Sequence, residues 1–233
     1  MSYHPLDRPV WASLTTRQTN LALGDRHAVR FRPDVNLFAA GADQNPESLA
    51  ALGDFAARLP DGTTMGLIEA APHVAVPGTA IVSARSIDQM VLTRLDARDR
   101  PVSHVVLGAR DVPAMLALTA LTVPGPFFAE TYRQGGYIGV YAAGHLIAMA
   151  GQRMRPPGFT EVSAVCTHPD HQGRGLGRAL MEAVIAPILA QGEAAFLHCY
   201  PDNPARQLYE ALGFRYRATM TYTVLSRASA LSR

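Results

Sequence analysis

The sequence predicts an α+β protein in which short strands and helices follow one another along the chain. Stretches with apolar residues at helical spacing are separated by Gly and Pro from stretches that alternate or are rich in β-branched residues. The chain has 233 residues, 48% of them hydrophobic and 17% charged, which is ordinary for a globular protein that buries a core. One large domain or two modest domains fit this length.

Composition excludes several classes of function. The formal net charge is +2 and like charges form no run, so the sequence shows no nucleic-acid-binding surface. The 21 residues counted as Lys plus Arg are all Arg, which excludes a phosphate-loop or Schiff-base lysine. No apolar run approaches the roughly 18 residues of a membrane span, and residues 1–10 lack the apolar centre of a signal peptide. We therefore expect a soluble, cytoplasmic protein without a membrane or nucleic-acid partner.

Residues 1–100 predict both helices and strands but contain no chemical motif. Leu49, Leu52 and Phe55 share one face of a helix predicted over 46–59. Further short strands are predicted over 65–71, 73–76 and 80–84, and another short helix over 87–95.

A second unit begins near Pro101 with a strand over 103–107. Asp111 and Pro113 are typical of the first turn of a helix, whose apolar run reaches Leu121 and which Pro124-Gly125-Pro126 breaks. A short helix over 127–134 and a hairpin of strands 137–142 and 145–154, joined at Ala143-Gly144, come next.

The stretch from Thr160 to Leu180 is the most informative part of the chain. Residues 160–167 alternate as a half-buried strand does, and Pro169 ends that strand. Three glycines then stand at alternate positions before a helical pattern, namely Gly173, Gly175 and Gly177. A strand, a glycine-rich turn and a helix in this order bring unpaired N–H groups and the helix dipole to one anion. With Arg174 and Arg178 nearby, the expected ligand is a phosphate or pyrophosphate.

Other interpretations of the glycines fit less well. A dinucleotide-binding fingerprint needs Gly where Leu180 stands, and a Walker loop needs a Lys. A plain tight turn between strand and helix needs neither three glycines nor two flanking arginines.

The remaining residues close the fold. A strand is predicted over 194–199, followed by a helix that contains Leu208, Tyr209 and Leu212 and is capped by Gly213. A closing pair of strands is predicted over 214–216 and 220–225.

The order of these elements over about residues 101–225 resembles the GNAT superfamily of acyl-CoA-dependent N-acyltransferases. Residues 172–177, Gln-Gly-Arg-Gly-Leu-Gly, match the family's pyrophosphate motif Q/R-x-x-G-x-G/A, and Val-Cys-Thr-His-Pro at 165–169 fits before it. Residues 208–214, Leu-Tyr-Glu-Ala-Leu-Gly-Phe, match the family's LYExLGF helix end. Both motifs occur in the family's order.

The resemblance implies a mixed central sheet flanked by helices, an α/β three-layer form of the α+β class. It makes residues 101–226 the acetyl-CoA-binding catalytic domain and 227–233 a tail. Residues 1–100 are expected to be an α/β cap that shapes the acceptor pocket, or a degenerate, cofactor-free copy of the same fold.

The resemblance also makes acetyl-CoA the cosubstrate. It places the backbone of Val165, Cys166 and Thr167 beside the pantetheine arm, as a substitute strand would lie. It places the pyrophosphate on the amides of Gln172, Gly173, Arg174, Gly175, Leu176, Gly177 and Arg178. The family's pantetheine-contacting Asn stands seven residues before the Tyr, where this chain has Asp202, so the role is assigned to the adjacent Asn203.

The catalytic roles implied by the family fall on two residues. Tyr209 would protonate the leaving thiolate, and Glu161, expected to face as Ser163 and Val165 do, would accept the amine proton. Cys166 is expected to face the core as a small hydrophobic residue. His168 and His171 have no third ligand cluster in the sequence, so no metal is expected.

The predicted activity is direct transfer of an acetyl group to a primary amine of a small molecule or peptide that the sequence does not name. The first alternative is a non-catalytic acyl-CoA-binding sensor or interaction module, because Glu161 and Asn203 are the weakest matches. A nucleotide-binding protein of another fold is the second alternative. The assembly, monomer or homodimer, is left open.

Overall fold

The computed structural model describes residues 4–72, 74–97 and 101–228. Its α-helices are α1 (Pro9–Leu14), α2 (Pro46–Ala57), α3 (Val112–Thr122), α4 (Leu176–Ala190) and α5 (Arg206–Leu212). Its strands are β1 (Ala22–Gly24), β2 (Ala28–Phe31), β3 (Ala39–Gly41), β4 (Met65–Glu69), β5 (Thr79–Leu92), β6 (Val105–Val106), β7 (Ile138–Ala142), β8 (His145–Gln152), β9 (Phe159–Thr167), β10 (Ala194–Cys199) and β11 (Arg215–Arg227). Helices in these ranges are all too short or too polar to cross a membrane.

Eight of the described strands form one mixed sheet in the order β4-β11-β5-β10-β9-β8-β7-β6. Strands β9 and β10 are parallel, and the other neighbouring pairs are antiparallel. Helix α4 covers one face, where Leu180 and Val184 pack with Ala148 and Ala150 of β8. Helix α3 covers the opposite face, because it packs with Met149, the residue between those two alanines. The mixed sheet between helical layers confirms the predicted fold class.

The N-terminal region packs on the face of the sheet opposite α4. Strands β1, β2 and β3 form a small antiparallel sheet, which meets β4 at a single parallel bridge between Phe38 and Gly66. Val10 of α1 and Phe31 of β2 share a buried cluster with Phe196 of β10. Burial of these aromatic and aliphatic side chains fixes the N-terminal region against the strand that also pairs with β9.

The structure differs from the sequence prediction at strand β5. The helix predicted over 87–95 is absent, and residues 79–92 instead form a strand between β10 and β11. Ile87, Met90 and Val91 have helical spacing, but pairing on both edges outweighs this local preference.

The structure also differs from the sequence prediction at strand β11. The predicted pair of strands over 214–216 and 220–225 is one continuous strand, in which the pairing with β5 skips Arg217. A bulge of this kind lets the strand continue while its ladder is locally interrupted. Residues 74–76 form no strand, and His73 of the predicted strand over 73–76 lies outside the described residues.

The predicted boundary at residue 100 falls within the connection from β5 to β6. Because β4 and β5 lie in the central sheet, residues from both sides of that boundary build the same sheet. The division into residues 1–100 and 101–226, and the degenerate copy, stay predictions. Of the predicted tail over 227–233, Arg227 still pairs with Thr79, and 229–233 lie outside the described residues.

Candidate active site

Strands β9 and β10 separate in the middle of the sheet. They pair only from Phe159 to Glu161 on β9, opposite Ala194 to Phe196 on β10. A cavity of about 80 Å³ lies beyond the last pair, and we call it the strand gap. It is lined by Pro124, Arg153, Val162, Ser163, Ala164, Val165, Met181, Leu197, His198, Asn203 and Tyr209. The edge of β9 that faces β10 is therefore open to an extended ligand.

A β-bulge at Ala164 causes β9 to change direction beside the strand gap. Ala164 has a φ of 51°, and the pairing with β8 passes from Ser163 opposite Gly151 to Cys166 opposite Met149. A non-glycine residue in this conformation is held there by its surroundings at a cost of about 1–3 kcal/mol. The bulge also reverses the alternation of side chains. Val162 and Val165 pack on the same core cluster, so the predicted common face of Glu161, Ser163 and Val165 is wrong.

The glycine turn, which we define as residues 173–178, presents a row of unused donors. None of its backbone N–H groups donates a hydrogen bond to a described residue. Gly173 and Gly175 have φ of 73° and 79°, and a Cβ built on either would meet no atom within 4 Å. A cavity of about 610 Å³ lies against the turn. Free N–H groups at the start of α4 and empty space in front of them suit an anionic group.

The two arginines of the glycine turn have different surroundings. Arg174 is exposed, and its Nη2 donates to the carbonyl of Asp170 at 3.1 Å. Arg178 donates to Glu182, to the carbonyl of Asp96 and to that of Ala211. The Arg178 guanidinium therefore holds the helix against its neighbours, which leaves its backbone N–H and the Arg174 side chain available to an anion.

The end of β9 lies directly beside the glycine turn. A Cβ on Gly177 would stand 3.8 Å from Thr167 Oγ1 and 4.0 Å from Val165 Cγ1. Gln172 differs from the turn residues, because its N–H already donates to Pro169 and its side chain to the carbonyl of Thr167. An extended molecule anchored at the turn can thus continue along the open edge of β9.

Cys166 lies away from the strand gap. Its side chain packs in the buried cluster under α3, and burial raises the pKa of the thiol to about 11. A thiol with this pKa is protonated at neutral pH and is a poor nucleophile. The predicted core-facing orientation of Cys166 agrees with this position.

Tyr209 lines the strand gap from helix α5. Helix α5 ends at Leu212 and is capped by Gly213, which has a φ of 110° and whose N–H donates to the carbonyl of Glu210. Burial raises the pKa of Tyr209 to about 12, with a smaller contribution from Cys199. The phenol therefore keeps its proton across the neutral range and is available as a donor.

Glu161 is fully buried, and its carboxylate is already occupied. Arg153 donates to it through Nε at 2.8 Å and Nη2 at 2.6 Å, and His198 Nδ1 lies 2.7 Å from Oε1. Burial by itself raises the pKa of the carboxyl, but Arg153 and His198 outweigh burial and lower the pKa to about 2. So acidic and enclosed a carboxylate is a weak proton acceptor, and the geometry favours a positioning role over the predicted role as base.

Residues that the sequence analysis did not single out extend from Glu161 into the N-terminal region. Gln89 Nε2 lies 2.9 Å from the carbonyl of Leu6 and 3.0 Å from His198 Nε2, while Arg217 donates to Gln89 Oε1. Because Gln89 uses its amide nitrogen toward His198, Nε2 of His198 accepts and Nδ1 carries the proton that bonds Glu161. We call Arg153, Glu161, His198, Gln89 and Arg217 the buried polar chain.

Asn203, and not Asp202, borders the strand gap. Its Oδ1 accepts from the N–H of Ala205 at 2.8 Å in the turn before α5, which fixes the side chain. Asp202 is exposed. This placement is compatible with the cofactor contact assigned to Asn203.

A second cavity, of about 120 Å³, adjoins the strand gap and shares Pro124, Arg153, His198 and Asn203 with it. We call it the acceptor cavity, for the role that we propose for it below. Its other lining residues are Phe38, Ile68, Ile87, Gly125, Pro126, Cys199, Tyr200 and Tyr222. Phe38, Ile68 and Ile87 come from the first hundred residues, so the N-terminal region forms one wall of this cavity.

The remaining polar candidates lie apart from both cavities. His168 and His171 stack edge to face with ring centres 5.8 Å apart. In the described part of the chain, no three His, Cys, Asp or Glu side chains are placed to share a metal ion.

Known proteins resemble this chain at several levels. A family model described as FR47-like protein matches residues 137–224. N-alpha-acetyltransferase RimI of Mycobacterium tuberculosis is 35% identical over 83 residues, which are 34% of this chain and 51% of RimI. The chain thus aligns with about half the length of this relative.

Solved structures extend the similarity over nearly the whole chain. An acetyltransferase of the GNAT family from Novosphingobium aromaticivorans is 41% identical, with a TM-score of 0.87 over 97% of this chain and 100% of that chain. A GCN5-related N-acetyltransferase from Kribbella flavida is 22% identical, with a TM-score of 0.62 over 94% and 96% of the two chains, and shows the shared fold. The family motifs, the fold and the Novosphingobium relative agree: the chain belongs to the GNAT family of acetyltransferases.

Proposed function

We propose that the protein transfers the acetyl group of acetyl-CoA to a primary amine. One observation carries the proposal. The unused N–H groups of the glycine turn adjoin the open edge of β9, and that edge leads to Tyr209 and the acceptor cavity. A phosphate site, an extended slot and a proton donor thus follow one another in the order in which acetyl-CoA presents its pyrophosphate, pantetheine arm and thioester.

The residues present fit acetyl-CoA. The pyrophosphate would lie on the N–H groups of Gly173 to Arg178, where Gly173 and Gly175 have no side chain to obstruct it. The pantetheine amides would pair with backbone groups of Val165 to Thr167, which lack a strand partner on the β10 side. Acetyl-CoA supplies the activated acyl group.

The transfer needs few proton movements. The amine nitrogen forms a bond to the thioester carbonyl carbon, and the carbon–sulfur bond breaks. Tyr209, protonated below its pKa of about 12, gives its proton to the departing sulfur. The amine proton leaves to water in the acceptor cavity, from which the phenol is reprotonated. Glu161 positions Arg153 and His198 at the junction of the two cavities.

Release of CoA in the presence of a panel of primary amines tests this function, with Tyr209→Phe as the diagnostic variant. We expect Tyr209→Phe to lower kcat about 100-fold with little change in the KM for acetyl-CoA. The control is Tyr216→Phe, since Tyr216 is exposed and its hydroxyl bonds that of Thr219. Equal kcat for Tyr209→Phe and wild type would contradict the assigned acid. Tight acetyl-CoA binding without transfer to any amine would instead support the sensor alternative.

A further inference from the structure

Apolar and aromatic side chains make up most of the lining of the acceptor cavity, and none of its described lining residues is Asp or Glu. Phe38 and Tyr222 meet edge to face with ring centres 5.8 Å apart, and Ile68 and Ile87 add aliphatic surface. A wall of this kind gains free energy from covering an apolar group and offers no counter-ion to a buried cation.

Charged residues beside the cavity are already engaged. Asp88, next to Ile87 on β5, is paired with Arg206. Glu69, next to Ile68 on β4, is paired with Arg8 at 2.9 Å. Arg85 stacks on the ring of Tyr200 with its guanidinium carbon 3.9 Å from the ring centre. No carboxylate of these strands is therefore free to neutralise a second ammonium group in the cavity.

Arg153 gives the cavity its one charged lining side chain among the described residues. Its Nε and Nη2 bond Glu161, whereas Nη1 has no hydrogen-bond partner in the described part of the chain. The guanidinium carbon lies 5.1 Å from the centre of the Phe38 ring. Because Glu161 neutralises this guanidinium, the pair offers no counter-ion to a second ammonium group, and Nη1 can donate to an oxygen of the acceptor.

From this composition we infer that the acceptor is a primary amine attached to an apolar or aromatic group of side-chain size, with no second positive charge. The inference rests on the proposed function and adds the substrate class. The apolar group lies between Phe38, Tyr222 and Ile87, and the amine points to the strand gap. A carboxylate or carbonyl oxygen beside the amine, as in a hydrophobic amino acid, bonds Nη1 of Arg153. Polyamines and other polycationic amines are disfavoured because they bring a charge that the cavity does not neutralise.

Pairs of amines that differ in one feature test this class. Pentylamine and cadaverine have the same carbon chain, but cadaverine carries a second ammonium group. We expect kcat/KM for pentylamine to exceed that for cadaverine at least about tenfold. Phenylethylamine, L-phenylalanine and a short peptide that begins with Phe carry the same apolar group, and their relative rates distinguish a simple amine, an amino acid and a peptide N-terminus as its source.

A matched pair of variants places the discrimination in this cavity. Pro126 borders the cavity in the loop between α3 and a short 3-10 helix, Thr131–Gln134, and lies outside the buried clusters. Pro126→Glu adds a carboxylate there, and Pro126→Gln adds a side chain of the same size without charge. We expect Pro126→Glu to lower the pentylamine-to-cadaverine ratio at least several-fold relative to Pro126→Gln.

The outcomes separate the substrate class from the activity. Efficient acetylation of cadaverine, equal to or better than that of pentylamine, would overturn the inferred class and leave the transferase function standing. Transfer to no amine, despite acetyl-CoA binding measured by calorimetry, would overturn the proposed function and this inference with it. An unchanged ratio in Pro126→Glu would show that another surface binds the acceptor and would overturn the assignment of the cavity.

Discussion

The glycine turn and the buried polar chain are two polar regions of the proposed active site, built in opposite ways. The turn is a single run of residues, 173–178, that works through backbone N–H groups and empty space. The buried polar chain brings Gln89, Arg153, Glu161, His198 and Arg217 together from four strands and adjoining loops, and works through side chains that are mostly buried. A local backbone site is encoded in consecutive residues, whereas a side-chain network depends on which strands become neighbours.

Glu161→Gln tests the buried polar chain and has the largest expected effect. Removing the carboxylate charge leaves Arg153 buried without its ion-pair partner, so we expect a loss of about 3–5 kcal/mol in the free energy of unfolding. Urea unfolding of both proteins at neutral pH measures this loss. The matched control is Glu182→Gln, because Glu182 pairs with Arg178 beside the open cavity at the glycine turn, whereas Glu161 is fully buried. Full stability of Glu161→Gln together with lost turnover would instead restore Glu161 as the base.

The dependence of stability on acid pH tests the ion-paired state of Glu161 in a second way. The pKa of Glu161 is about 2 in the folded protein and has an ordinary value of 4.5. A lowered pKa contributes stability that is fully present above 4.5 and is lost as the pH falls from there toward 2. The difference in unfolding free energy between wild type and Glu161→Gln should therefore shrink over this window. A difference that stays constant down to pH 2 would contradict the ion-paired state of Glu161.

Gly175→Val tests the glycine turn and should affect binding more than folding. A valine side chain would occupy the open space in front of the N–H groups, and φ at this position is 79°. We expect the Kd for acetyl-CoA, measured by calorimetry, to rise about 100-fold, because the pyrophosphate loses close contact with the backbone.

Gly192→Val is the matched control for that experiment. Gly192 follows the other end of α4, has a φ of 76°, and likewise has no atom within 4 Å of a built Cβ. Both variants carry the same backbone strain, so only the position differs. Equal loss of affinity in the two variants would show that strain, and not the phosphate site, causes the effect.

The comparison also explains how far the sequence could predict this molecule. The strand, glycine turn and helix over 160–190 follow from local patterns, and so does the helix that carries Tyr209. The order of elements and two motifs were enough to indicate the family.

Features set by distant pairing were not predictable in the same way. The apolar residues of 87–92 fit a helix until β10 and β11 pair on both sides of them. The bulge at Ala164 reverses the side-chain alternation that the sequence implies for β9. His198 stands in an apolar strand, which was the one local signal for the buried polar chain, but its partners Gln89 and Glu161 are 109 and 37 residues away.

Hydrogen–deuterium exchange with and without saturating acetyl-CoA tests the central claim most directly. The claim is that the glycine turn and the open edge of β9 bind one molecule of acetyl-CoA through backbone N–H groups. We predict that acetyl-CoA slows exchange at Gly173 to Arg178 and at Val165 to Thr167, while the amide of Gly192 is unaffected. Unchanged exchange in both segments, under conditions where calorimetry shows that acetyl-CoA is bound, would contradict the account.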